Sequence, residues 1–154
     1  MNRAPAPLLV LGWGNASRGD DALGPLCVAA LQSSLPSALQ EQVEFLEDYQ
    51  LQVEFALDLV GRRRILLIDA SLDCAAPFEV RRVQARRDSS ISSHALSPEA
   101  LLQVYADLQG CTAPPCTLLA IRGQAFALGE PLGAAARMHL DAALVWAMGW
   151  LALP

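Results

Sequence analysis

Continuous apolar runs alternate with amphipathic segments along the chain, and the runs predict the strands of a parallel sheet. Pro7–Trp13 (PLLVLGW) and Ile65–Ile68 (ILLI) contain no charged residue, which is typical of strands that are covered on both faces. Shorter apolar runs predict strands at Val43–Leu46 and Cys116–Ile121. The alternating segment Phe78–Val83 predicts a strand at the edge of the sheet.

The segments between these strands predict helices from the spacing of their apolar residues. Asp20 lies where an N-cap or first-turn residue belongs, and Ser97 is a suitable N-cap before a proline. The predicted helices are Asp20 to about Pro36, Gln52–Val60, Pro98 to about Leu108, and a buried terminal helix within Leu132–Leu153. Strands that alternate with helices predict a three-layer α/β/α fold around a twisted, mostly parallel sheet of about five strands.

Length and composition support a folded chain with one core. The 154 residues are 53% hydrophobic and 18% charged, which favours a single domain over residues 1–154. The net charge of −5 disfavours nucleic acid as a partner. All eleven basic residues are arginine, so a Walker-type phosphate loop and a Schiff-base lysine are excluded.

The cysteines and the apolar termini favour a cytoplasmic protein without a membrane anchor. None of the four cysteines forms a Cys-x-x-Cys pair, and we interpret them as reduced thiols. The N-terminal apolar run is short and leads directly into Gly12 and Gly14, unlike a secretory signal. The uninterrupted apolar segment Ala142–Leu153 is shorter than the ~20 residues of a membrane helix, so we expect no membrane association.

The segment LGWGNASRGDDALG has the glycines of a phosphate-binding loop but the wrong charge. A dinucleotide-binding fingerprint requires a third glycine where the chain has Ser17. Asp20 and Asp21 lie where a helix begins, and two carboxylates there would repel a pyrophosphate. The helix dipole favours carboxylates at this end, so the loop suits a cation. We interpret Asp20 as the N-cap and Asp21 as the ligand-facing residue; alternatively, Asp21 is a surface residue without a ligand.

Asp69 and His94 are the other candidate cation ligands. Asp69 closes the most apolar strand, and ligands of α/β sheets bind at the carboxyl ends of strands. If the first and third strands are parallel neighbours, Asp21 and Asp69 face one crevice. His94 lies in a polar loop, whereas His139 lies in an apolar helix and is interpreted as a packed or surface residue. Two carboxylates and one imidazole suit nickel, zinc, iron or manganese, and spacing does not choose among them.

These motifs together resemble the hydrogenase maturation endopeptidases, which process the large subunit of nickel–iron hydrogenases. The resemblance rests on LVLGWGNASRGDDALGP, on ILLIDA, on the histidine of SSHALS and on EDYQL after the second strand. It extends over the whole chain in length and in the order of strands and helices. It implies an α/β/α fold and the removal of a short C-terminal extension from a nickel-containing precursor.

The resemblance also implies which residues carry the function. The family positions that contact nickel correspond to Asp21, Asp69 and His94, and the first of them is glutamate in some members. An acidic motif that often reads aspartate followed by two glycines is Asp48-Tyr49-Gln50 here. Asp48 and Asn15 are therefore the candidate contacts to the substrate tail. We expect a monomer whose partner is the large-subunit precursor, with nickel supplied by that precursor and no organic cofactor.

The sequence does not identify a catalytic nucleophile. No serine or cysteine has a histidine placed credibly beside it, and no His-Glu-x-x-His helix is present. We therefore interpret the chain as an endopeptidase whose metal belongs to its substrate, where nickel docks the scissile bond or polarises its carbonyl or a water. Two alternatives stay open: a nickel carrier without hydrolytic activity, and a conventional zinc metallopeptidase.

Overall fold

A computed structural model describes residues 3–87 and 96–154, which form five strands and three α-helices. The strands are β1 (Leu8–Trp13), β2 (Val43–Asp48), β3 (Arg64–Ser71), β4 (Phe78–Arg82) and β5 (Cys116–Arg122). The helices are α1 (Leu23–Ser34), α2 (Pro98–Gln109) and α3 (Ala134–Ala152). Short 3₁₀ helices at Gly19–Ala22, Ser37–Leu39 and Val53–Leu57 lie in the connections.

The five strands form one sheet in the order β2–β1–β3–β5–β4. The first four strands in this order are mutually parallel, and β4 pairs antiparallel to β5 at the edge. Helices α1 and α3 pack on one face, and α2 packs on the other together with the 3₁₀ helix Val53–Leu57. The predicted three-layer fold, the mostly parallel sheet and the edge position of Phe78–Val83 are therefore confirmed.

The apolar continuity of β1 reflects burial on both sides of the sheet. Leu8 and Val10 pack toward α1 and α3, whereas Leu9, Leu11 and Trp13 pack toward α2. All five side chains are at most 7% exposed. Each buried leucine contributes roughly 2 kcal/mol of transfer free energy, so the site at the end of β1 rests on a rigid strand.

Several predicted element boundaries are wrong. The expected helix at Gln52–Val60 is only the 3₁₀ helix Val53–Leu57, because no side chain caps it and the buried Leu51 and Leu59 hold its ends against the sheet. Helix α1 begins at Leu23, after a 3₁₀ turn. Strands β2 and β3 run further than predicted, and Asp69 lies inside β3 rather than closing it, because β5 stays paired as far as Ser71.

The two helices predicted in the C-terminal half of the chain, α2 and α3, agree with the structure. Ser97 caps α2, and its Oγ accepts a hydrogen bond from the Ala100 N–H at 3.1 Å. Helix α3 buries one side against the sheet, with Ala143 and Ala147 fully covered. Among residues 3–87 and 96–154, no helix is long and apolar enough to cross a membrane.

The strand order creates a crevice at the carboxyl ends of β1 and β3. The connection from β1 to β2 moves toward one edge of the sheet, whereas the chain after β3 moves toward the other edge. The boundary between β1 and β3 is therefore the topological switch point, where open α/β sheets bind their ligands. The loop that follows β1 and the last residues of β3 both lie at this point.

Candidate functional site

Close backbone packing places the loop after β1 against the sheet. A Cβ atom at Gly14 would lie 2.0 Å from the carbonyl oxygen of Asp21, so only glycine allows the loop to fold back this tightly. A Cβ atom at Gly24 would lie 2.3 Å from the Trp13 carbonyl oxygen. These two glycines bring the start of α1, and with it the 3₁₀ turn that contains Asp21, to the carboxyl end of β1.

Asp21 is fixed by the loop that precedes it. Its Oδ2 accepts a hydrogen bond from the Asn15 N–H at 2.8 Å. The Asn15 side-chain oxygen accepts in turn from the Ser17 N–H at 2.9 Å, which closes an Asx turn. Asn15 thus shapes the loop and positions Asp21, and its contact with a substrate tail stays a prediction.

Asp20 is not the N-cap that its position predicted. Neither the 3₁₀ turn nor α1 receives a side-chain cap. The Asp20 side chain points away from the helix and is buried, at 2% exposure. Its carboxylate accepts hydrogen bonds from the N–H groups of Gln124, Ala125 and Gly133 at 2.8, 3.2 and 2.8 Å. Asp20 therefore anchors the β1 loop to the connection between β5 and α3, because those backbone donors have no strand partner to satisfy them.

The environment of Asp20 keeps its carboxyl group ionised. Burial on its own would raise the pKa, but the three backbone donors and the nearby His139 outweigh burial and lower the pKa below its ordinary value of 3.8. A buried carboxylate with this many donors is a structural anchor and is not available to a ligand.

Asp69 lies beside Trp13 on the face of the sheet that α2 covers. The register sets Gly12 opposite Ile68, so the next pair is Trp13 and Asp69. The pKa of Asp69 is raised to about 7, mainly by burial; repulsion from Asp21 also raises it, whereas the backbone N–H of Ala70 and the Trp13 side chain lower it. Asp21 follows β1 and Asp69 lies on the neighbouring strand β3, and the two carboxylates are close enough for Asp21 to raise the pKa of Asp69.

Asp48 occupies the same row of the sheet as Trp13, one strand further out. It is half-buried, and its Oδ1 accepts a hydrogen bond from the Tyr49 N–H at 2.6 Å. A cleft of about 410 Å³ opens here, lined by Gly14, Ala16, Pro25, Glu47, Asp48 and Tyr49. Asp48 is therefore well placed to contact a peptide in this cleft, and its role in substrate binding stays a prediction.

The third predicted ligand, His94, lies outside the described residues. Among residues 3–87 and 96–154, no three side chains of His, Cys, Asp or Glu form a cluster with metal-binding geometry. His139 lies on α3, and its Nδ1 contacts the Arg122 carbonyl oxygen at 2.9 Å. His139 is half-buried on α3, which agrees with the expectation of a packed or surface residue.

The cysteines are poor candidates for the nucleophile. Cys27, Cys74 and Cys116 are buried, and Cys111 is exposed in the loop before β5. Burial raises the pKa of the Cys27 thiol to about 12 and that of the Cys116 thiol to about 12, so neither forms the reactive thiolate near neutral pH.

Sequence reasoning missed two residues that shape the crevice. Trp13 was interpreted as the last apolar residue of a strand, yet its side chain lies close enough to Asp69 to lower the pKa of that carboxyl group. Its indole N–H at a strand end was a usable signal, because a buried tryptophan needs an acceptor. The anchoring role of Asp20 had no such signal, since its partners lie more than 100 residues away in the chain.

Comparison with known proteins relates this fold to one group of solved structures. No protein-family model and no curated protein sequence matches the chain. The structure of the nickel–iron hydrogenase maturation protease HycI from Thermococcus kodakarensis superposes with a TM-score of 0.71 at 16% identity, over 95% of this chain and 92% of that chain. The hydrogenase maturating endopeptidase HybD from Escherichia coli gives 0.73 at 24% identity, over 94% and 91%.

A hydrogenase 2 maturation peptidase from a Thaumarchaeota archaeon gives a TM-score of 0.65 at 21% identity, over 96% of this chain and 99% of that chain. The likeness covers nearly the whole of each structure, so the similarity concerns the complete fold rather than a shared half. The chain therefore has the α/β fold of the hydrogenase maturation proteases.

Proposed function

We propose that this chain is an endopeptidase that removes the C-terminal extension from the nickel-loaded precursor of a nickel–iron hydrogenase large subunit. The observation that carries the proposal is the convergence of Asp21 and Asp69 at the switch point of this fold. The two carboxylates repel each other, since Asp21 raises the pKa of Asp69. Carboxyl groups with a raised pKa are typical of functional sites, and a bound cation would offset the repulsion between the two carboxylates.

The nickel ion belongs to the substrate in this proposal. Asp21 and Asp69 supply carboxylate oxygens from the β1 loop and from β3, and His94 supplies an imidazole nitrogen. Oxygen and imidazole donors suit a borderline divalent cation such as Ni²⁺. Coordination of the nickel ion by these three side chains holds the precursor so that its C-terminal tail enters the cleft beside Asp48.

Hydrolysis then requires only water and the positioned peptide bond. The C–N bond of the scissile peptide breaks, the hydroxyl of water joins the carbonyl carbon, and its proton joins the leaving amine. Asp69 binds the metal as a carboxylate in this proposal, so its part is to hold the precursor rather than to carry the proton. Docking of the tail in one orientation accelerates hydrolysis, because the scissile bond is held in position for attack.

Nickel dependence of cleavage is the direct test of this function. Purified protein is mixed with nickel-loaded and with nickel-free precursor, and the mass of the large subunit is followed. We expect cleavage of the nickel-loaded precursor alone, because the metal is the docking group. Equal cleavage of both forms contradicts nickel recognition, and binding of nickel-loaded precursor without cleavage identifies a carrier. Cleavage of unrelated peptides by protein that retains its own zinc identifies a conventional metallopeptidase.

The two histidines provide a matched pair of variants. We expect His94→Ala to abolish processing without unfolding the chain, because the variant loses a nickel donor. His139→Ala should leave processing intact, since His139 is not among the predicted nickel ligands and its ring bonds the Arg122 carbonyl. Cleavage rates and far-UV circular dichroism are measured for both variants. Full processing by His94→Ala would refute the assignment of His94.

A further inference from the structure

The outermost strand β2 presents an unsatisfied backbone edge. In a parallel pair, alternate residues turn both backbone groups toward the same neighbour. The Gln42 carbonyl accepts from the Leu8 N–H at 3.0 Å, and the Asp48 carbonyl accepts from the Gly14 N–H at 3.0 Å. Even-numbered residues of β2 therefore face β1, and the residues that turn N–H and C=O outward are Val43, Phe45 and Glu47.

No hydrogen bond among the described residues engages these outward groups. Beyond β2 the sheet has no further strand within residues 3–87 and 96–154. A row of free donors and acceptors of this kind is a template for strand addition.

Three separate clefts lie beside this strand. A cleft of about 590 Å³ includes Gln42, Val43 and Glu44, and another of about 450 Å³ includes Val43, Glu44 and Phe45. A third cleft of about 410 Å³ lies at the carboxyl end of β2, between Asp48 and the loop residues Gly14 and Ala16. An extended chain on β2 would therefore end beside the loop that carries Asp21.

We infer that an extended segment of the substrate precursor adds to β2 as a sixth strand, an inference that rests on the proposed function. The hydrogen bonds come from the outward groups of Val43, Phe45 and Glu47 and span about five residues of the added peptide. The added strand fixes the peptide backbone and thereby sets which bond reaches the carboxylates. The tail is thus selected by backbone pairing as well as by its metal.

The charge of the side chains along β2 indicates which kind of strand can pair with this edge of the sheet. The charged side chains of the strand and of the residues just before it in the chain are acidic, namely Glu41, Glu44, Glu47 and Asp48, while Arg3 also lines the cleft at the amino end of β2. Only Glu44 has a basic partner among the described residues, Arg62. A second copy of β2 would place these carboxylates against each other, which destabilises cross-strand pairs. A neutral or basic peptide segment is therefore the occupant that the edge favours.

Amide hydrogen exchange of the wild-type chain tests the pairing directly. The probe is a synthetic peptide that covers the C-terminal extension of the precursor and the residues just before it. We expect the amides of Val43, Phe45 and Glu47 to gain protection of about tenfold or more on peptide addition, while Glu44 and Leu46 are already protected. This two-residue period is specific to strand addition, because side-chain binding alone would not produce it.

A proline variant separates the backbone donor from the side chain. Glu47→Pro removes one outward N–H and leaves the ladder to β1 intact, which an edge strand tolerates. Glu47→Thr removes the same charge but keeps the N–H. With nickel-loaded precursor, we expect Glu47→Pro to raise KM about tenfold relative to Glu47→Thr with little change in kcat. The melting temperatures of the two variants show whether both are folded.

The outcomes distinguish this inference from the function on which it rests. Cleavage of the precursor without protection of the three odd-numbered amides overturns strand addition and leaves the proposed function standing. Protection without cleavage supports strand addition and contradicts the hydrolytic function. Protection that rises with protein concentration in the absence of peptide assigns the edge to a second copy and overturns the inference. Absence of both cleavage and protection overturns both proposals.

Discussion

Asp69→Asn should abolish processing of the nickel-loaded precursor and at the same time stabilise the folded chain by about 2–4 kcal/mol at pH 8. Loss of a metal-binding carboxylate explains the first effect. The second follows from burial, which together with Asp21 raises the pKa of Asp69 to about 7 from its ordinary 3.8. The amide of asparagine has nearly the same shape as the carboxyl group and carries no charge.

The sign of this effect changes with pH in a defined way. Between about pH 4 and 7 the folded chain holds a proton on Asp69 that the unfolded chain has lost, so stability falls as pH rises through this range. The cost is complete above pH 7. The stability gain of Asp69→Asn should therefore be near zero at pH 4 and largest at pH 8.

Urea denaturation across this pH range measures the gain, with Asp73→Asn as the control. Asp73 is exposed just beyond β3, so its variant should alter neither stability nor processing. Substitution of a residue that serves ligand binding commonly raises stability while it lowers activity. Loss of stability with normal processing would instead make Asp69 a structural residue.

Asp20→Ala should destabilise the chain by about 3–5 kcal/mol, the largest stability loss expected in the β1 loop. The change removes a buried carboxylate and leaves the N–H groups of Gln124, Ala125 and Gly133 without their acceptor. Asp20→Asn should also destabilise, because its NH₂ group would oppose backbone donors.

The pH dependence of this anchor runs opposite to that of Asp69. Because backbone donors lower the pKa of Asp20 in the folded chain, its contribution is present above about pH 4 and is lost as the pH falls through the lowered value. Chemical denaturation of the wild type and of Asp20→Ala at pH 7 and at pH 3 measures the contribution of Asp20 to stability at each pH. Asp141→Ala on the exposed side of α3 is the control and should change stability by about 0.5 kcal/mol or less. A loss below about 1 kcal/mol for Asp20→Ala at pH 7 would contradict the anchoring role.

The pattern of apolar residues was sufficient to predict the fold. Uninterrupted runs at Pro7–Trp13 and Ile65–Ile68 identified strands buried on both faces, and Ser97 marked the start of α2 correctly. The extent of β3 could not be predicted, because Asp69, Ala70 and Ser71 are held in the strand by pairing with β5. The short 3₁₀ helix Val53–Leu57 likewise depends on how Leu51 and Leu59 pack against the sheet.

The site was predictable in part. The convergence of Asp21 and Asp69 followed from the carboxyl-end rule once β1 and β3 were neighbours. The roles of the adjacent aspartates were not resolved, since a helix start accommodates a cap and a ligand equally well. Only contacts with residues 124–133 reveal that Asp20 anchors the loop. The outward backbone groups of β2 depend on the strand order and leave no trace in the side-chain pattern.

The mass of the hydrogenase large subunit tests the central claim most directly. Intact large subunit is isolated from cells with the gene for this chain, from cells lacking it, and from cells that carry Asp69→Asn in its place. The account predicts a large subunit that keeps its C-terminal extension in the second and third strains and a shortened one in the first. A large subunit of mature mass in cells that lack the chain would contradict the account.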